Sequence, residues 1–142
     1  MEVIEIIGFK PNDEVSHKMP LFEMSVSAGI PIPVESDINS EVDLNEFLVE
    51  HPASTFFARV SGLNMQFAGI RDGDILIVDS SVIPHDGKLI LASINSDLTV
   101  KIFREVDSEI YLESSNHKFL PLNIGELEFN IIGTVTKVIH SL

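Results

Sequence analysis

Few side chains in this sequence have a type and spacing that suit chemistry. Cysteine is absent, which removes thiol catalysis, disulfides and thiolate metal sites. The five histidines, His17, His51, His85, His117 and His140, are scattered without metal-ligand spacing and read as structural. No paired-carboxylate motif is present. Gly62, Gly69 and Gly73 lack the strand–helix context of a phosphate loop. No cofactor or metal site is therefore expected. One lysine stands apart. In a strand over residues 98–103, Leu98, Val100 and Ile102 share one face, and Thr99, Lys101 and Phe103 share the other. Both faces have apolar members, which fits a strand covered on both sides. A covered ammonium loses hydration and its pKa falls. The neutral amine can then take a proton from a hydroxyl, the serine–lysine route to a nucleophile. The plainer reading, a surface lysine on an edge strand, is the commoner one for such a pattern.

The second chemical position lies on a turn. Ala58 and Val60 alternate with Arg59 and Ser61, which is strand period. Gly62 ends that run and lets the chain turn sharply. Arg71-Asp72-Gly73-Asp74 is a further turn signal, with both aspartates read as turn formers. Ile75 to Val78 is an apolar run short enough for a buried strand. Residues 62–66 are thus displayed between two strands, a common way to build a site. Asn64 sits in that turn, and Asn tolerates left-handed backbone.

Ser61-Gly62-x-x-Met65 followed by Gly69-Ile70-x-Asp72-Gly73-Asp74-Ile75-Leu76-Ile77-Val78-Asp79 resembles the core of the UmuD/LexA family of self-cleaving serine–lysine peptidases, and its UmuD-like members in particular. The resemblance runs from about residue 21 to about residue 138. It implies that Lys101, within Thr99-Val100-Lys101, is the family's general base. It also implies that Asn64 stands where the family carries its nucleophilic serine. An amide cannot supply an alkoxide, so self-cleavage is expected to be lost or strongly impaired. Leu63 departs as well, since the family commonly has a polar or acidic residue there. Strand alternation points Ser61 away from the direction of residue 64, which disfavours it as a substitute. The family cuts its own extended arm between a small residue and glycine, and Ala28-Gly29 falls at that place. The resemblance further implies a homodimer, engagement by a recombinase filament, and service to an error-prone DNA polymerase in the bacterial SOS response. Two other readings stay open: an active self-cleaving peptidase using another route, and a β-rich binding domain outside DNA repair.

The elements that would position these residues follow from pattern. Residues 2–9 fit a short strand and 10–20 a linker. Pro31 and Pro33 force residues 21–34 into an extended apolar arm. Residues 35–42 read as a polar connector. Asp43 reads as the N-cap of a short helix over about 44–50, with Glu46 at the capping-box position and His51-Pro52 as its end. Strands are expected at 55–61, 75–78, 88–95, 98–103, 109–113 and 127–138, with a tight turn at Ser96-Asp97. The expectation is a mostly β, antiparallel protein with one short helix; the resemblance implies a compact, curved core over 41–142 that carries an N-terminal arm over 1–40.

With 142 residues the chain fits one modest core. Its net charge of −13 repels nucleic-acid phosphates, so direct DNA binding is not expected. No helix-turn-helix pattern precedes residue 20, which argues against a DNA-reading repressor. No apolar run approaches the roughly 18 residues a membrane span needs. A secretory signal is not visible either. Both points fit a cytoplasmic protein.

Overall fold

The structure is a computed structural model. It describes residues 2–8, 18–21, 40–62, 65–113, 122–123 and 128–142, with backbone only at 18–21, 40, 67 and 122–123. The chain divides into two compact units, residues 1–10 with 51–142, and residues 11–50.

The larger unit is an antiparallel sheet. Its strands are β1 (Glu2–Gly8), β4 (Thr55–Ser61), β5 (Ile75–Asp79), β6 (Leu89–Ile94), β7 (Asp97–Val106), β8 (Glu109–Glu113), β9 (Leu122–Asn123) and β10 (Phe129–Ile139). They lie in the order β1-β4-β5-β10-β6-β7-β8-β9, and β1 also meets β7. Six strands therefore form a closed ring, which leaves few bare edges. The mostly-β, antiparallel expectation holds.

The ring is filled because alternation puts the apolar residues of each strand on one side. Ala58, Val60, Met65, Ile70, Leu76, Val78, Leu91, Val100 and Ile102 make the inner core. A second cluster, Ile90, Ala92, Phe103 and Leu112, packs on the other face of β6, β7 and β8. Strand β10 crosses β5 so closely that a Cβ on Gly133 would stand 2.7 Å from Val78 Cγ1 and 3.1 Å from the Asp79 carbonyl oxygen. Glycine is therefore required at that crossing.

Two hairpins turn on left-handed pairs, Asn95-Ser96 (φ 50° and 72°) and Asp107-Ser108 (φ 50° and 65°). Positive φ at both central residues matches the twist of the flanking strands. The expected turn at Ser96-Asp97 is thus shifted by one residue. Asn95 accepts the left-handed conformation, and Asp97 opens β7 opposite Ile94.

The smaller unit holds β2 (Lys18–Leu21) paired antiparallel with β3 (Ser40–Asp43), and helix α1 (Leu44–Leu48). Residues 18–20 and 40–42, expected to be linker and connector, are strands here. A two-stranded ribbon has only edges, so Pro20 does not disqualify it. Asp43 caps α1 as expected, its side chain accepting the Asn45 N–H at 2.9 Å. The helix is shorter than the sequence pattern, and a separate 3-10 turn, Pro52–Ser54, follows it. Residues 2–8, counted within the expected arm over 1–40, are hydrogen-bonded into the sheet beside β4. Ala28 and Gly29 lie outside the described residues.

Candidate functional site

The turn after β4 is held at both ends. Gly62 has φ 115°, open to glycine at little cost, and its N–H donates to Asp72 Oδ1 at 2.9 Å. Just before it, the Val60 N–H donates to the Asp74 carbonyl at 3.0 Å, and the Gly73 N–H donates to the Val60 carbonyl at 2.8 Å. On the far side Met65 is fully buried in the inner core. Its carbonyl accepts from Ala68 at 3.1 Å and from Ile70 at 3.3 Å. Asn64 and Leu63 lie outside the described residues, but both flanks are pinned.

The 71–74 turn that pins Gly62 is itself locked. Asp74 is 2 % exposed. Its Oδ2 accepts the Arg71 N–H at 2.8 Å, and its Oδ1 lies 2.6 Å from His140 Nδ1. Arg71 Nη1 lies 2.8 Å from His140 Nε2. A guanidinium can only donate, so Nε2 accepts and Nδ1 carries the proton given to Asp74. Asp72 and Asp74 are turn formers, as their sequence suggests. The tie to His140, sixty-six residues on, has no local signal.

A second carboxylate anchors the other end of β5. Asp79 accepts from Ser54 Oγ at 2.7 Å, Ser81 N–H at 2.9 Å and Ser81 Oγ at 2.7 Å, and its Oδ2 lies 2.6 Å from His51 Nδ1. Burial alone would raise its pKa. The hydrogen bonds from Ser81, Ser54 and His51 outweigh that and hold the carboxyl far below the usual range. The serine two residues after an aspartate is a readable Asx-turn signal that the sequence analysis passed over. Here histidine and serine both converge on the carboxylate, so the group is a corner brace.

Lys101 lies on β7 opposite Ile90 of β6. Its neighbours Val100 and Ile102 enter the inner core, and Phe103 enters the second cluster. The strand is therefore covered on both faces, as the alternation suggested. The Lys101 side chain is half-buried, and that burial pushes its amine below the ordinary lysine value. A larger share of neutral amine is then present at any pH below that value. Such a group can accept a proton.

One row of the sheet links the two halves. Glu2 of β1 pairs with Ser61 of β4 on one side and with Thr99 of β7 on the other. Residues paired across antiparallel strands share a face, and Lys101 follows Thr99 on that face two residues along. The strand that ends in the turn and the strand that bears the lysine thus meet through a single residue of β1. The composition of residues 2–9 marks a strand but carries no sign of this role.

His85 is exposed, and His51 and His140 bond carboxylates; His17 and His117 lie outside the described residues. Among the described residues no group of three or more His, Asp or Glu is placed to hold a metal ion. No helix among them is long and apolar enough to cross a membrane.

A Peptidase S24-like family model matches residues 20–136. The chain is 37% identical over 134 residues to Protein ImpA of Salmonella typhimurium, covering 92% of this chain and 89% of that protein. It is 40% identical over 85 residues to Protein MucA of Escherichia coli, covering 60% of this chain and 58% of that one. It is 35% identical over 118 residues to the LexA repressor of Proteus mirabilis, covering 82% of this chain and 58% of the repressor. With the closed β ring and the turn between β4 and β5 already in view, these matches show that the chain belongs to the Peptidase S24-like family, the UmuD/LexA group its motif resembles.

Proposed function

We propose that this protein is a UmuD-like accessory factor of the SOS response that serves an error-prone DNA polymerase, with its self-cleavage lost or strongly impaired. The observation that carries the reading is Lys101: a half-buried amine, depressed by burial, on the strand joined through Glu2 to the strand that runs into the Asn64 turn. The proton acceptor of a serine–lysine pair is kept, while position 64 offers an amide in place of a hydroxyl. Of the residues before 41, those after β1 would supply the arm, with Ala28-Gly29 as its once-scissile bond. The protein would act by binding, as a cytoplasmic homodimer engaged by a recombinase filament, with the arm retained.

Asn64→Ser tests this. The unaltered chain stays at full mass through alkaline incubation. The variant slowly releases a fragment spanning residues 29–142, and adding Lys101→Ala abolishes the release. Release of that fragment from the unaltered chain overturns the reading in favour of a working peptidase. Failure of the protein to retain a recombinase filament or an error-prone polymerase in a pull-down favours a binding domain outside DNA repair.

A further inference from the structure

Strand β1 lies outside the stretch matched by the family model, which begins at residue 20, yet it stands at the candidate site. Among the described strands it alone pairs with both β4 and β7. On β7, strand β8 covers residues 102–106 and stops. The same edge at residue 99 is where Glu2 enters. On β4, β1 runs from Phe56 to Ser61. The ring of strands is therefore closed at one row, Ser61–Glu2–Thr99, and that row abuts the Gly62 turn and lies two residues from Lys101.

We infer that β1 is a positioning strand for the Lys101 site: it holds the end of β4 against β7, and its detachment opens the seam between them. The inference rests on reading Lys101 as the site's amine. The hold is light. Five of the seven residues, Glu2, Ile4, Glu5, Ile6 and Gly8, are exposed. A bulge between Val3 and Glu5 breaks the ladder, and the ion pair it makes, Glu5 with Arg59, is exposed at both ends. Val3 is the side chain of β1 that packs on the inner core. A strand so held can open without unfolding the ring, because β5, β10 and β6 pair with one another independently of it. Opening would admit water along the Thr99–Lys101 face and let the amine recover its hydration. It would also free the Ser61 end of β4 from β7, while the Gly62 turn stays tied to Asp72. The strand that bears the amine would thus loosen against a turn that stays fixed.

Val3→Asp in the full chain is the test, with Val3→Ile as the conservative companion and Val3→Ala as a milder variant should the charge prevent folding. Lysines carry a 13Cε label, and Lys101 is assigned as the resonance missing from Lys101→Met. The intact chain is expected to titrate Lys101 below the ordinary value of 10.5. Val3→Asp moves that titration up toward it, and Val3→Ile leaves it in place. Amide exchange at Arg59, Ser61 and residues 98–101 quickens by about tenfold or more in Val3→Asp, while Val60, whose N–H is held by the Asp74 carbonyl, and residues 76–79 keep their protection. A merely structural role for β1 would not single out the Lys101 titration. The inference is overturned if β1 amides lose protection while Lys101 and residues 98–101 stay as they were. If Lys101 titrates as an ordinary lysine in the intact chain, the reading of the site falls instead, and amide exchange alone decides for or against β1 as the clamp.

Discussion

Strand β4 has two neighbours, and they are built on opposite principles. On one side β5 is buried from Leu76 to Asp79 and is braced by a carboxylate at each end. Asp74 ties it to Arg71 and His140, and Asp79 ties it to His51, Ser54 and Ser81. On the other side β1 is mostly exposed, bulged, and joined to β7 at one residue. The same strand thus leans on a fixed wall and on a light seam. The wall carries the fold, since burial removes apolar area from water and the braces satisfy buried polar atoms. The seam, as we infer, holds the Ser61 end of β4 beside Thr99 of β7. Stability and site geometry are thereby separable, and a variant can damage one while sparing the other.

The largest effect should come from the wall. Leu76 is fully buried, sits opposite Ala58 of β4 and Val138 of β10, and belongs to the inner core. Leu76→Ala should cost about 2–5 kcal/mol, through lost transfer energy and the cavity left behind. Ile6 of β1 is 50% exposed, so Ile6→Ala should cost well under half as much, about 1 kcal/mol or less. Urea unfolding of the two variants measures the contrast. Equal losses would show that β1 is part of the wall.

The braces come next. Asp79→Ala removes a buried carboxylate from the half-buried Ser54 and the exposed Ser81, and losing these hydrogen bonds to a charged group should cost about 1–3 kcal/mol near neutral pH. The sign of the pH dependence follows from the depressed carboxyl. Its stabilising contribution is fully present above the unfolded pKa near 3.8, and is lost as pH falls below that value toward the folded one. The gap between the parent chain and Asp79→Ala should therefore narrow as the pH falls below about 4. A gap that persists unchanged into acid would mean that shape, not charge, makes the brace.

What the sequence disclosed differs in the same way between wall and seam. The run Ile75 to Val78 announces a buried strand by composition alone, while the alternation around Lys101 is compatible with a strand covered on both faces and equally with an exposed edge. The Asn95-Ser96 turn was displaced by one residue because Asn, Ser and Asp are all turn formers and local preference does not choose among them. Strands β2 and β3 were passed over because proline and polar residues mark a poor central strand, although a two-stranded ribbon tolerates both. The Asp74–His140 tie and the Glu2 bridge were illegible for a deeper reason. Each joins residues far apart in the chain, and no local period records which strand will lie beside which. The resemblance points to Lys101 and position 64, but it begins after β1 and so is silent about the seam.

The smallest effect sharpens the contrast. Glu5 Oε2 and Arg59 Nε lie 3.0 Å apart, with 52% and 39% of their side chains exposed. An exposed pair gains little, because water screens it and ordering two long side chains offsets the attraction. Glu5→Ala should therefore cost about 0.5 kcal/mol or less, and a double-mutant cycle with Arg59→Ala should return a coupling of similar size that shrinks in salt. Lys101 should titrate as in the parent, unlike in Val3→Asp. The two substitutions sit two residues apart on one strand, so a difference between them assigns the seam to the apolar contact of Val3. A coupling above about 1 kcal/mol, or a Lys101 that follows Glu5, would instead make the clamp electrostatic, and the seam would then loosen with ionic strength rather than with packing.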